Sequence, residues 1–225
     1  GAHYEDGGPG EPNSAAGAAY VFQRNLGGAD SWNQVTILRA SDPQAGDQFG
    51  VALAIFGDTI VVGANFEDGG LGNPLADTGA AYVYQRNQGG ADQWGEVTIL
   101  RASDAQAGDR FGESVDISGD MLVVGAISED GGPGDPQANS GAAYVFERNQ
   151  GGPGMGSVPD AWGQVRTLRV ADTQLSHFMA VSIDGNTLVG SVPDWSSFGA
   201  ATIFTLQAGW EPEALPQSSD AQSGD

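Results

Sequence analysis

The sequence predicts an all-β fold assembled from β-propeller blades, each a sheet of four antiparallel strands. Three observations carry that expectation. The string GAAYVFQRN at Gly17–Asn25 returns as GAAYVYQRN at Gly79–Asn87 and GAAYVFERN at Gly141–Asn149, a spacing of 62 residues both times. Each unit holds four short runs of β-forming residues separated by glycine-rich turns, and four such runs at a period above about 40 residues is the pattern of a propeller blade. No stretch sustains the 3.6-residue apolar period of a helix, so helix is expected to be almost absent.

The repeat lies far beyond chance: between Thr36–Ala64 and Thr98–Ala126, 20 of 29 positions are identical. The first strand of a unit is expected at Phe49–Phe56, ending in a Gly57-Asp58 turn with counterparts at Gly119-Asp120 and Gly185-Asn186. Such pairs suit two-residue hairpins, whose primed turns need positive φ. The second strand, Thr59–Gly63, is β-branched and apolar at successive positions, which marks burial on both faces. A glycine-rich acidic loop, Asn65–Thr78, leads to the third strand, Ala80–Arg86; the loop Asn87–Asp92 leads to the fourth, Trp94–Arg101. Small residues at Gly63-Ala64 and Gly79-Ala80-Ala81 fit a crowded place where sheets meet near an axis. The chain divides into the outer half of a blade at 1–46, blades at 47–108 and 109–175, and an atypical, shortened blade with the start of the next at 176–225.

Composition narrows the function. Eight basic residues, all Arg, stand against 29 acidic ones, for a net charge of −21. Such a chain repels phosphate backbones and anionic lipid, which argues against nucleic-acid partners and membrane insertion. Cysteine is absent, which removes disulfides, thiol catalysis and Cys-based zinc sites together. Two histidines, His3 and His177, leave little for a metal site or a general base. GxSxG, HExxH and P-loop motifs are missing. A non-enzymatic chain is expected, with glycoside hydrolysis through an acidic pair as the remote alternative.

Acidic residues gather after the second strand. Glu5-Asp6-Gly7-Gly8, Glu67-Asp68-Gly69-Gly70 and Glu129-Asp130-Gly131-Gly132 are one motif in three copies, with Asn13, Asp77, Asp135 and Asn139 downstream. Calcium takes about six to eight oxygens from flexible loops of this kind. Glu5, Asp6, Glu67, Asp68, Asp77, Glu129, Asp130 and Asp135 are therefore candidate ligands. The other reading is solvated turns capped by their own acids, and it is favoured because the alternating DxDxDG spacing is missing. A second recurrent pair, Asp42 with Asp47 and Asp104 with Asp109, brackets a short turn; it reads as an Asx-type structure with an Arg partner, favoured over a further cation site. Six of the eight Arg recur with the scaffold (Arg24, Arg86, Arg148; Arg39, Arg101, Arg169), so they are expected to hold scaffold carboxylates such as Asp42, Asp104 or Asp172. Trp32, Trp94 and Trp162 open the outer strands and read as blade-to-blade packing. Trp195 has no counterpart in the other units; its loop is the candidate for specific recognition, with cover for the core as the competing reading.

These residues resemble the FG-GAP repeat family. Phe49-Gly50 and Phe111-Gly112, followed by Val61–Ala64 and Val123–Ala126, match its FG and GAP elements in order. Phe49, Gly50, Gly63, Phe111, Gly112 and Gly125 are the structural residues of that pattern, and the unit is similar to those of secreted bacterial members. The resemblance implies part of a larger, seven-bladed propeller of the kind integrin α subunits carry, a secreted or cell-surface location, and adhesion or recognition through loops. It does not carry over the family's calcium ligands, because the connection that holds them is here the tight Gly57-Asp58 or Gly119-Asp120 turn. His3, Asn65 and Ile127 replace the Pro of GAP. The expected partners are a protein or glycan at the cell surface, or further copies of the chain. The alternatives are a subunit of an extracellular filament or sheath, and a calcium-dependent carbohydrate-binding module. Gly1-Ala2 align with Gly63-Ala64, and Ser219–Asp225 with Ser41–Asp47. The chain is accordingly expected to be a window on a longer repeat protein, or to pair its open edge with another chain.

Overall fold

The computed structural model describes residues 1–6, 13–70, 72–132, 139–149, 161–169, 180–192, 200–205 and 211–214. Among them every regular element is a strand: β1 (Ala19–Arg24), β2 (Trp32–Leu38), β3 (Leu53–Phe56), β4 (Thr59–Ala64), β5 (Ala80–Arg86), β6 (Trp94–Leu100), β7 (Phe111–Ser118), β8 (Met121–Ala126), β9 (Ala142–Arg148), β10 (Trp162–Leu168), β11 (Ala180–Asp184), β12 (Thr187–Val192), β13 (Ala200–Thr205) and β14 (Glu211–Ala214). They form a two-stranded sheet, β1-β2, and three antiparallel meanders of four, β3–β6, β7–β10 and β11–β14. These meanders are propeller blades. The hairpin turns fall where the Gly-Asp and Gly-Asn pairs predict, with Gly57, Gly119 and Gly185 at φ 56°, 61° and 53°.

One expectation needs correcting. The first strand of the 47–108 unit does not run from Phe49 but from Leu53, and Phe49 makes only an isolated parallel bridge to Gly17. The cause is a bulge. Gly50 takes φ 95° and donates its N–H to the Gly63 carbonyl at 2.9 Å, so the chain turns before it can join the ladder. The next blade has the same irregularity inside β7, as a register shift between Phe111 and Ser114.

Both faces of the middle strands are buried, and alternation sends side chains to different neighbours. Ile60, Val62, Tyr82 and Tyr84 face Ala19 and Leu38 of the preceding sheet. Val61, Ala81 and Val83 face Val115, Leu122 and Val124 of the following one. In the next blade Val123, Ala143 and Val145 turn toward Val181, Ile183, Leu188 and Phe204. Phe49 and Phe111 plug these seams. Phe49 sits edge-on to Tyr82 at 5.3 Å and Tyr84 at 6.1 Å; Phe111 does the same to Tyr144 at 5.4 Å and Phe146 at 6.0 Å. These T-shaped pairs add to the apolar burial itself.

Backbones of successive blades nearly touch at the FG and GA elements. A Cβ on Gly63 would lie 2.0 Å from the Gly112 carbonyl oxygen, and a Cβ on Gly112 would lie 2.3 Å from that of Ala80. Gly46 has nearly the same φ as Gly112 (96° against 93°) but nothing within 4 Å. The two glycines separate backbone strain from crowding. Gly46→Ala is expected to cost about 1 kcal/mol in chemical denaturation through φ alone. Gly112→Ala should cost about 3 kcal/mol or more, because two blades must part. Equal losses at the two positions would show that the seam tolerates a side chain.

Candidate functional site

The acidic loop after β4 closes on itself through Glu67 and Asp68. Glu67 is fully buried at 0% exposure. Its Oε1 accepts from Arg101 Nη2 at 2.8 Å, its Oε2 from the Gly69 N–H at 3.0 Å, and its carbonyl from the Gly79 N–H at 2.8 Å. Asp68 Oδ1 accepts from the Asp77 N–H at 2.9 Å and so staples the two ends of the loop. The other copies repeat the device. Glu129 receives Arg169 Nη2 at 2.6 Å and the Gly131 N–H at 3.0 Å; Glu5 receives Arg39 Nη2 at 3.2 Å. Asp130 Oδ1 accepts from the Asn139 N–H, and Asp6 Oδ1 from the Ala15 N–H at 2.9 Å.

The donors on these carboxylates are N–H groups and guanidinium, which makes them charge-assisted hydrogen bonds. Among the described residues no group of three or more His, Cys, Asp or Glu side chains is placed to hold a metal. Asp77 serves through its backbone, with φ 52° and a carbonyl that accepts from the Arg110 N–H at 3.1 Å. Asp135, Trp195, Asp172 and His177 lie outside the described residues.

The same arginines reach across the seam. Arg101 ion-pairs with Asp42 at 3.6 Å and Arg169 with Asp104 at 2.7 Å, both in the linker that enters the blade from the preceding one. That linker is held from several sides. Tyr82 Oη donates to Asp42 at 2.8 Å, and Tyr84 Oη to the Arg39 carbonyl at 2.6 Å. Glu96 accepts from the Ser41 hydroxyl at 2.7 Å and its N–H at 3.2 Å; Gln164 takes the Ser103 N–H at 3.0 Å. Sequence reading missed Glu96, Gln164 and the tyrosine hydroxyls, although Tyr82 and Tyr144 stand in the repeated GAAYV string.

The other Arg set behaves differently. Arg86 pairs with Asp58 at 3.1 Å and Arg148 with Asp120 at 3.0 Å, each holding the tip of its blade's inner hairpin. Their guanidiniums cover Trp94 at 5.2 Å and Trp162 at 4.9 Å. Trp162 packs into the core between two blades, and Trp94 packs partly so. Trp32 is 64% exposed instead.

A family model described as the FG-GAP repeat matches residues 32–84 and 94–146. The chain carries FG-GAP repeats. Among curated proteins no match is found. Each matched FG-GAP segment starts at an outer-strand Trp, crosses the linker and inner hairpin, and ends in the third strand of the next blade. The repeat as matched is thus a blade seam, which the Arg–Asp pairs and the glycines hold.

One further buried acid completes each FG-GAP seam, Asp47 in one and Asp109 in the next. Burial pushes the Asp47 carboxyl up to about 7 against the Gln44 N–H that would lower it, and Glu67, Asp68 and Asp42 raise it further. Asp109 rises to about 6, first by burial, with Glu129, Asp130 and Asp104 adding to it. Each carboxylate caps its own turn, accepting from Gln44 N–H at 2.8 Å or Gln106 N–H at 2.7 Å. Because the folded pKa lies above the unfolded one, the native state binds protons more tightly, and this contribution is full below about pH 4 and lost as pH rises through 6 to 7. Asp47→Asn removes the titration and keeps the acceptor. Urea melts at about pH 5 and about pH 8 should show Asp47→Asn costing less, relative to wild type, at the higher pH. An equal cost at both would mean that Asp47 stays ionised in the fold.

Proposed function

We propose that this FG-GAP chain is a non-catalytic recognition module of an extracellular β-propeller, presenting loops to a protein or glycan at a cell surface. One observation carries the reading: the recurrent Arg, Glu and Asp side chains of the seams bond to one another. Groups spent on the scaffold are not free for acid–base chemistry, which leaves the loop tips as the place for contacts. Units also differ most in loops: Asn87 to Trp94 is a short connection, whereas the counterpart from Asn149 to Trp162 carries the insertion around GMGSVPD. A net charge of −21 without lysine keeps such a module soluble and favours partners that are basic or neutral. FG-GAP repeats are typically extracellular, which supports the location.

The test is a pair of assays on the purified chain. Immobilised protein should bind a subset of surface proteins or glycans saturably, with no turnover of glycoside or peptide substrates. Substrate turnover that survives repurification would overturn the non-catalytic reading; exclusive recovery from the cytoplasm of the source cells would overturn the location.

A further inference from the structure

The seams entered at Arg39 and at Arg101 are built from the same parts, yet they differ at one cross-strand pair. In the first, Tyr84 of β5 stands opposite Glu96 of β6. Its hydroxyl bonds to the Arg39 carbonyl at 2.6 Å and lies 3.3 Å from Glu96 Oε2. In the second, Phe146 of β9 stands opposite Gln164 of β10, and Arg101 takes the place of Arg39. Phe146 has no hydroxyl, so it offers the Arg101 carbonyl no such donor. Gln164 turns instead to the Ser103 and Thr167 hydroxyls, donating from Nε2 at 2.9 and 3.0 Å.

A groove of about 350 Å³ opens at this place, between β6 and the β9-β10 pair. Its walls include Arg101, Phe146 and Gln164, the counterparts of the three groups that the Tyr84 hydroxyl joins, together with Ser103 and Trp162. Trp162 is 8% exposed, and its indole Nε1 is buried with no acceptor among the described residues. An orphaned donor of this kind costs about 1–3 kcal/mol, which an incoming oxygen would relieve. Ser103 accepts from Gln164 and so keeps its own proton to donate. The wall is also short of charge. Gln164 stands where the first seam has a carboxylate, and the Arg101 guanidinium is already held by Glu67 and Asp42.

We propose that this groove binds a neutral hexopyranose unit of a surface glycan, with one sugar hydroxyl standing in for the hydroxyl that Phe146 lacks. The proposal rests on the recognition role given above and names a ligand class and a place for it. A hydroxyl both donates and accepts, so a sugar can give a proton to the Arg101 carbonyl and take others from Ser103 and the Trp162 N–H. The volume falls in the range of about 300–1,000 Å³ usual for small-ligand sites, and a few fixed polar groups on an aromatic wall are their usual lining. Neutrality follows from the absence of a free cation on the wall and from the net charge of −21, which disfavours anionic sugars. Because Nε1 is shielded, binding includes a shift of the indole ring toward the sugar.

That shift is the readout. The chain has five tryptophans, so nitrogen-15 NMR shows five indole N–H signals, and Trp162→Phe identifies the one at the groove. Methyl glucoside, methyl galactoside and methyl mannoside are titrated in turn into the full chain to high millimolar concentration. At least one should move the Trp162 signal saturably and leave that of Trp94 in place. Phe146→Tyr copies the first seam and should weaken this binding about tenfold or more by filling the groove with its own hydroxyl. Ser103→Ala, at an exposed position where folding is not at stake, is the second arm and should weaken it as well. A Trp162 signal that none of the three glycosides moves, or equal binding by Phe146→Tyr and the unaltered chain, would overturn the proposal. The recognition role would survive that result if the immobilised chain still bound surface proteins, and would fall with it if nothing bound.

Discussion

The arrangement of each seam follows from how Arg101 and Arg169 are satisfied. A glutamate with no access to water cannot stay charged without a partner, and a guanidinium drawn beside it must be held by hydrogen bonds on more than one side. Burial alone would lower the Arg101 guanidinium, but the Glu67 hydrogen bond and charge outweigh it and hold Arg101 above its ordinary value. Glu67 belongs to the loop after β4, Arg101 to the exit from β6, and Asp42 to the linker from the preceding sheet. One cation therefore ties three separate stretches of chain. Three of the eight basic residues, Arg39, Arg101 and Arg169, serve at joints of this kind.

The glycines and aromatics become intelligible around that joint. Phe49 and Phe111 fill the space between sheets, and the glycines let backbones pass within contact distance. Only a residue without a side chain fits where the Gly112 carbonyl meets Gly63. The glycine contacts are made to the neighbouring blade, as in repeat proteins whose stability is a sum of unit and nearest-neighbour terms. Asp116 adds a joint of its own, accepting from the Ser182 hydroxyl at 2.7 Å and the Ile183 N–H at 2.8 Å of the next sheet.

The fold was legible because repetition did most of the reading. Identical strings 62 residues apart placed the strands, and the Gly-Asp turns placed the hairpins. The strand at Phe49 was misjudged because a bulge leaves the alternation of apolar residues unbroken while removing residues from the ladder. The acidic loops were only half legible. Sequence shows that Glu67 and Asp68 recur together, but adjacent residues part company in the fold: one turns inward to an arginine from the far end of the blade, the other caps its own loop. A partner 34 residues away leaves no local signature. Arg101 was recognisable as a scaffold cation from its recurrence, and Asp42 as one of the carboxylates such cations would hold, yet Glu67 was not connected to it.

The account stands most directly on the energetic coupling between Arg101 and Glu67. A double-mutant cycle with Arg101→Met and Glu67→Leu, read by chemical denaturation, isolates it. Each single change leaves a charge without its partner, whereas the double change leaves apolar groups in contact. The account expects a coupling of about 2 kcal/mol or more, with the double variant close to or better than either single one. Single effects that add to within about 0.5 kcal/mol would contradict it, and would mean that the Arg101–Glu67 pair does not hold this joint.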